Sequence, residues 1–231
     1  IRYVEELSYT TYPSIKNYTY LMELDENFIV RMQHEMKECL AIPRTIYESY
    51  TTGLEDCRLI NKQYLIGGLL DSNDKWNPEM CLVEYDWSNG EIHRMMFLQN
   101  QDNTPQKNWL VLNESPTQLY VLHSYDPLKI ISVDKENGHV HTVHYQKVFS
   151  LEDCEMHGGG CVYISNIKKY LLCVRVVNKH IYQYSVWLLM TEKYKIVGTS
   201  EPFHFFYRQE NTARHYEMCM SVIEKNDILI L

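Results

Sequence analysis

The sequence lacks both a long apolar run and a block of basic residues. Its apolar stretches stay short of the roughly 18 residues that a membrane-spanning helix needs, so we expect no membrane span. Its net charge is −8, with 22 Lys and Arg against 30 Asp and Glu, whereas nucleic-acid-binding domains cluster basic residues on one face. Nucleic acid is therefore not an expected partner.

Cysteine and histidine pairs at metal-ligand spacing are missing as well. The seven cysteines are an odd number and include no C-x-x-C pair, which favours reduced thiols and a cytoplasmic protein over a disulfide framework or a zinc site. Sequons at Asn17 and Asn113 point the other way, although Pro116 makes the second a poor acceptor. His141 and His144 lie on opposite faces of a strand-like run. We expect no metal.

What the sequence does contain is a recurring strand. Tyrosine accounts for 19 residues and aromatics for 13% of the chain, a composition typical of half-buried strands. A stretch of tyrosine and apolar residues recurs with a period of roughly 50 residues. Its copies begin at Tyr20, Tyr64, Leu119, Tyr170 and Ile228.

Further strand pairs lie between these copies, each joined by turn residues. The pairs cover residues 80–85 with 91–98, 129–133 with 140–144, and 181–190 with 196–200. In the first two pairs the turn contains Asn-Gly, a strong hairpin signal. Several strands in each of about five repeats indicate an all-β, five-bladed β-propeller.

We expect this propeller to be a single domain over residues 1–231, cut from a longer chain because it begins without Met. The alternative is a β-sandwich or two small β domains, although no linker rich in Pro, Gly or Ser divides the sequence.

The first candidate site is the charged segment Glu55-Asp56-Cys57-Arg58, interpreted as a turn before the strand at Tyr64. An arginine beside two carboxylates can keep one of them ionised and leave the other available as an acid or base. The alternative is a salt bridge within the turn.

The second candidate group lies at the two ends of one predicted hairpin. It consists of Lys107, Asn108, Trp109, His123, Tyr125 and Asp126. Aromatic faces beside amides and carboxylates suit a polyhydroxylated ligand, and an ammonium suits a phosphate. The alternative is a buried tryptophan with a surface lysine.

The third candidate is His157 with the glycines at 158–160, before a strand at 161–164. Glycines let the backbone approach a ligand, although plain turn material is the alternative reading. Their spacing matches neither a P-loop nor a dinucleotide fingerprint. The sequence also lacks a Gly-x-Ser-x-Gly elbow, and we identify no histidine partner for a cysteine nucleophile, so hydrolases of those kinds are not expected.

Taken in order, these segments resemble the five-bladed propeller glycosidases of the β-mannoside phosphorylase and hydrolase kind, with related β-mannosyltransferases. Residues 55–58 are similar to the Glu-Asp-Pro-Arg motif of that family, with Cys57 in place of proline. Residues 107–109 and 123–127 resemble its Lys-Asn-Trp and Tyr-Ser-x-Pro segments. Gly158-Gly159 resembles its Gly-Gly motif, and 200–202 its Ser-x-Glu-Pro segment.

The resemblance implies an enzyme that inverts the anomeric carbon while transferring a mannosyl-like unit between a glycoside and phosphate or a sugar acceptor. Asp56 would be the general acid, beside Glu55, and Arg58 and Lys107 would contact phosphate. The sugar site would be lined by Asn108, Trp109, His123, Tyr125, Asp126, His157, Gly158 and Gly159. The expected ligand is a glycan, with inorganic phosphate or a sugar phosphate as co-substrate and no other cofactor. The alternatives are a non-catalytic glycan- or protein-binding propeller and an inverting glycoside hydrolase.

Overall fold

The computed structural model describes residues 2–4, 15–38, 51–69, 79–98, 108–147, 154–178, 183–205, 219, 221–225 and 228–230. Every regular element within these ranges is a β-strand, which confirms the all-β prediction. Among the described residues no helix is long and apolar enough to cross a membrane. Lys107 lies outside the described residues.

The chain divides into two compact units. The first contains Ile1–Lys107 and Lys135–His139, and the second contains Asn108–Asp134 and Val140–Leu231. That the chain forms a five-bladed propeller, and that this propeller is a single domain over residues 1–231, stay predictions.

The first unit holds two sheets. Its strands are β1 (Arg2–Val4), β2 (Ile15–Leu24), β3 (Val30–Glu35), β4 (Lys37–Glu38), β5 (Thr51–Thr52), β6 (Glu55–Leu59), β7 (Tyr64–Leu69), β8 (Glu79–Tyr85) and β9 (Glu91–Phe97). The first sheet has the order β1-β2-β3, with β5 parallel to β2. The second is the antiparallel meander β6 to β9, with β4 added parallel to β9.

The described part of the second unit contains two four-stranded antiparallel meanders. Its strands are β10 (Leu110–Glu114), β11 (Gln118–Tyr125), β12 (Leu128–Asp134), β13 (Val140–Gln146), β14 (Cys154–Ile164), β15 (Lys169–Asn178), β16 (Gln183–Thr191), β17 (Ile196–Thr199), β18 (Ile223–Lys225) and β19 (Ile228–Ile230). Strands β10 to β13 form one sheet, β14 to β17 another, and β18 and β19 a separate hairpin.

The recurring stretches that begin at Tyr64, Leu119 and Tyr170 are the second strands of the three meanders. Strands β7, β11 and β15 each have a hydrogen-bonded neighbour on both sides, and most of their apolar side chains are almost fully buried. Strands buried on both faces read as near-continuous apolar runs. Their position inside each sheet explains why the sequence pattern was visible.

Both predicted Asn-Gly hairpins are confirmed. Strands β8 and β9 are antiparallel, as are β12 and β13. Their turns contain Gly90 at φ 77° and Gly138 at φ 74°, a left-handed conformation that glycine adopts without a steric penalty. The predicted pair over residues 181–190 and 196–200 is β16 and β17.

Each unit has its own apolar core. The core of the first unit packs β2 and β6 to β9 around side chains that include Leu21, Leu65, Leu69, Val83 and Ile92. The core of the second unit packs β10 to β12 and β14 to β16 around side chains that include Leu122, Ile130, Leu172, Val174 and Leu188. Each core packs against the first strand of a meander, which is β6 in the first unit and β10 and β14 in the second. Several candidate residues lie on or next to these strands.

Candidate functional site

The charged segment at 55–58 is part of strand β6, so the prediction of a turn is wrong at this point. Glu55 pairs with Gly68 and Arg58 pairs with Ile66 across the β6–β7 ladder. Two residues, Asp56 and Cys57, therefore lie opposite a single residue of β7, which makes this a β-bulge. Bulges redirect side chains and are frequent next to active sites.

Asp56 has an unusual backbone conformation for a residue inside a strand. Its φ is 51°, in the left-handed region, which aspartate and asparagine tolerate better than other non-glycine residues. Phe28, Lys168 and Tyr194 also have positive φ, but each lies between two strands of a hairpin. A strained conformation within a strand is a feature that functional sites commonly contain.

A glycine of β7 lies opposite the bulge. A Cβ added to Gly67 would lie 3.1 Å from the Cys57 sulfur and 3.3 Å from Leu54 Cδ2. Cys57 therefore packs over Gly67, against the core of the first unit. Thr19, on β2, supports the same place by donating a hydrogen bond of 3.2 Å to the Leu54 carbonyl oxygen.

Burial determines the chemistry of the Cys57 thiol. It raises the thiol pKa to about 12, with smaller contributions in the same direction from the Asp56 and Glu55 carboxylates. Because the thiolate is the reactive form of cysteine, Cys57 is not a nucleophile near neutral pH. At position 57 the chain thus places a neutral, space-filling side chain.

Asn108 repeats the backbone feature of Asp56 in the second unit. Its φ is 61°, and it stands two residues before Leu110, which pairs with Leu122 across β10 and β11. Asp56 stands two residues before Arg58, at the equivalent place in its own meander. Left-handed backbone outside a hairpin turn thus occurs at two of the residues predicted from sequence.

The glycines at 158–160 lie inside β14 (Cys154–Ile164), so the prediction that the strand begins after them, at 161, is wrong. The register shifts between Gly158 and Cys161. A Cβ on Gly158 would lie well under 3.0 Å from the Asn108 carbonyl oxygen and 3.2 Å from Tyr125 Oη. The missing side chain thus brings Asn108, Tyr125 and Gly158 together, at the start of β10, the end of β11 and the first half of β14.

Two of the aromatic candidates are buried. Trp109 is 1% exposed and Tyr125 is 4% exposed. The Trp109 ring packs on the His123 imidazole, with 5.1 Å between ring centroids and 46° between planes. Trp109 therefore orients His123, which is partly exposed, and Asp126 is exposed at the end of the same hairpin. Both ring nitrogens of His123 are shielded from solvent, whereas the Asp126 carboxylate is exposed.

His157 and Arg175 are two polar residues on neighbouring strands of the same sheet. They are directly opposite each other on β14 and β15, and the Glu155 carboxylate lies 3.4 Å from His157 Nε2. Arg175 was not predicted from sequence. The available signal was a single charged residue within the apolar strand 170–176, because a charge in such a run needs a specific environment.

The described residues contain no group of three or more His, Cys, Asp or Glu that could hold a metal ion. Within the first unit, Glu55, Asp56 and Arg58 are gathered on one bulge. Within the second, Asn108, Tyr125 and Gly158 form one group, and Trp109 with His123 a second. Comparison of the sequence with protein-family models and with curated proteins gives no match.

Proposed function

We propose that this chain is a five-bladed β-propeller that transfers a mannosyl-like unit, with inversion, between a glycoside and phosphate or a sugar acceptor. Asp56 is the general acid. The architecture is supported by three successive four-stranded antiparallel meanders, β6–β9, β10–β13 and β14–β17, since propeller blades are sheets of this kind. The family resemblance supplies the reaction class.

The observation that carries the proposal is the left-handed Asp56 within the β6 bulge. Pairing of β6 with β7 alone does not require two residues opposite one, nor a left-handed backbone at Asp56. Such a feature persists only where the surrounding structure imposes it, as Gly67, Leu54 and Thr19 do at this bulge. The strained residue is also the carboxylic acid that the family resemblance makes the proton donor.

In the proposed reaction the Asp56 carboxyl gives its proton to the glycosidic oxygen as the bond from that oxygen to the anomeric carbon breaks. A phosphate oxygen attacks the anomeric carbon from the opposite face, forming the new bond and inverting the configuration. Arg58, two residues along β6, stabilises the anionic phosphate through its fixed positive charge. With water as the attacking group, the inverting hydrolysis would also need a carboxylate base to take a proton from that water.

Within the second unit, taken by itself, we assign recognition of a sugar ring to the groups near Asn108 and the end of β11. Asn108 and Asp126 provide an amide and a carboxylate, groups that hydrogen-bond to hydroxyls, whereas the His123 imidazole, with both ring nitrogens shielded from solvent, packs on Trp109. Trp109 and Tyr125 are buried beside these groups in sequence, and buried side chains have little rotational freedom to lose. Rigid support of this kind lowers the entropic cost of binding.

The test is incubation of the protein with manno-oligosaccharides, with and without inorganic phosphate, and analysis of the products by mass spectrometry. Release of a sugar phosphate that requires phosphate supports the phosphorylase reaction. Extension of a glycan from a sugar phosphate donor supports the transferase reaction. Release of free sugar without phosphate identifies an inverting hydrolase.

Binding without turnover, measured by calorimetry, would identify a non-catalytic propeller instead. The neutral, buried Cys57 in place of the motif proline is the observation that favours this second candidate. Neither binding nor turnover with any of these glycans would contradict the proposal for mannosides.

A further inference from the structure

Two buried thiols meet in the second unit. Cys173 is in the middle of β15, and Cys219 precedes β18. Both are buried, with Cys173 1% exposed, and the Cys219 thiol, which donates a hydrogen bond of 3.2 Å to the Ser221 carbonyl oxygen, neighbours the Cys173 thiol. They belong to one apolar cluster with Val222, flanked by Trp187 and Phe203.

Two glycines of β14 allow this approach. A Cβ on Gly159 would lie 2.5 Å from the Cys173 carbonyl oxygen and 3.0 Å from the Cys219 carbonyl oxygen. A Cβ on Gly160 would lie 3.0 Å from the Cys219 sulfur. The backbones of both cysteines therefore pass over the same glycine, and closely spaced backbones are the geometric requirement for a disulfide.

We propose that Cys173 and Cys219 are a dithiol–disulfide pair, oxidised by a small-molecule disulfide such as oxidised glutathione. One protein thiolate attacks a glutathione sulfur, forming a mixed disulfide and releasing one glutathione thiolate. The second protein thiolate attacks the protein sulfur of that mixed disulfide and releases the second glutathione. The two protein thiols lose two electrons and two protons, and one oxidised glutathione becomes two reduced molecules.

The reaction is slow and pH-dependent. Hydrogen bonding to Cys219 and burial both hold the pKa of the Cys173 thiol well above its ordinary range. Because only the thiolate attacks a disulfide, the rate is limited by a small ionised fraction. As long as the pH stays below the pKa, raising it by one unit increases the ionised fraction about tenfold. The oxidation rate therefore increases by about the same factor.

The consequence is a covalent link between β15 and the segment that leads into β18. In the described part of this segment, Cys219 and Val222 are the two buried apolar residues, packed on the cluster. A disulfide that closes a long loop stabilises a fold by restricting the unfolded chain. We expect the melting temperature of the oxidised protein to be several degrees higher than that of the reduced protein.

The experiment treats the full chain with oxidised glutathione, alkylates the remaining thiols and maps the peptides by mass spectrometry. The expected product is a single Cys173–Cys219 disulfide that makes the protein two hydrogen atoms lighter. Cys219→Ala should abolish this link, whereas the control Cys81→Ala, which removes a buried thiol of the first unit, should retain it.

All thiols remaining alkylatable, glutathione adducts alone, or a different pairing would each overturn the proposal. Mapping of the wild-type protein decides the question even if Cys219→Ala does not fold. The result does not depend on glycosyl transfer, so it stands or falls separately from the proposed function.

Discussion

Replacing Gly158 by alanine tests the close approach of β10 and β14. The added methyl would lie well under 3.0 Å from the Asn108 carbonyl oxygen and 3.2 Å from Tyr125 Oη. A backbone carbonyl cannot rotate away as a flexible side chain can. Asn108 is held at φ 61° and is followed by the fully buried Trp109, so the strain spreads into both residues.

Overpacking of this kind typically costs about 1–3 kcal/mol. Gly198 of β17 is the matched control, because a Cβ there would meet its nearest neighbour, Leu189 Cβ, at 3.5 Å. That is ordinary van der Waals contact. Gly198→Ala should therefore be neutral or stabilise the protein by about 0.4–1 kcal/mol, since alanine restricts the unfolded chain.

Urea unfolding followed by tryptophan fluorescence measures both variants. A loss of about 2 kcal/mol, with a slope of about 2 kcal/mol per molar urea, lowers the midpoint by about 1 M. Gly158→Ala should show this shift and should also weaken glycan binding. Equal midpoints for Gly158→Ala and Gly198→Ala would refute the argument that these strands are packed backbone against backbone.

Three further predictions concern the first unit. Phe28 is 59% exposed and has φ 62°, so Phe28→Gly should raise the urea midpoint by relieving about 1–2 kcal/mol of strain; a lower midpoint would contradict this. The Asp25 carboxylate accepts hydrogen bonds from the Ile29 and Asn27 amides, which lower its pKa. The ionised carboxylate therefore stabilises the fold fully above the unfolded-state pKa of Asp25, and this stabilisation is lost as the pH falls through the folded-state pKa. In thermal melts between pH 2 and pH 6, the melting temperature of Asp25→Asn should fall less with acid than that of the wild type; an equal fall would contradict this. Cys57→Ala should retain glycosyl transfer while losing about 1 kcal/mol of stability from the small cavity, whereas loss of turnover in a folded variant would give the thiol a chemical role.

The sheets could be predicted because their signals are local. Asn89-Gly90 and Asn137-Gly138 specify turns by their own conformational preferences, and the strands beginning at Tyr64 and Tyr170 read as apolar because they lie inside a sheet. None of these features depends on a distant partner.

The backbone of the candidate site could not be predicted in the same way. The charged residues at 55–58 resemble a turn in sequence, and they form a bulge only because Gly67 of the next strand leaves room for Cys57. The glycines at 158–160 resemble a loop, and they lie in a strand because Asn108 of another strand crosses over Gly158. Both depend on contacts between segments that are separate in sequence.

The central claim, that Asp56 is the general acid of a glycosyl transfer, is tested most directly by the turnover of Asp56→Asn with manno-oligosaccharides and phosphate. Asparagine tolerates the left-handed backbone of Asp56, so the variant should fold and should bind glycan as the wild type does.

Asp86→Asn, in the β8–β9 turn of the same unit, is the control and should keep full activity. The account predicts that Asp56→Asn loses at least about a hundredfold in kcat, the usual contribution of a general acid; turnover within about twofold of the wild type would contradict it.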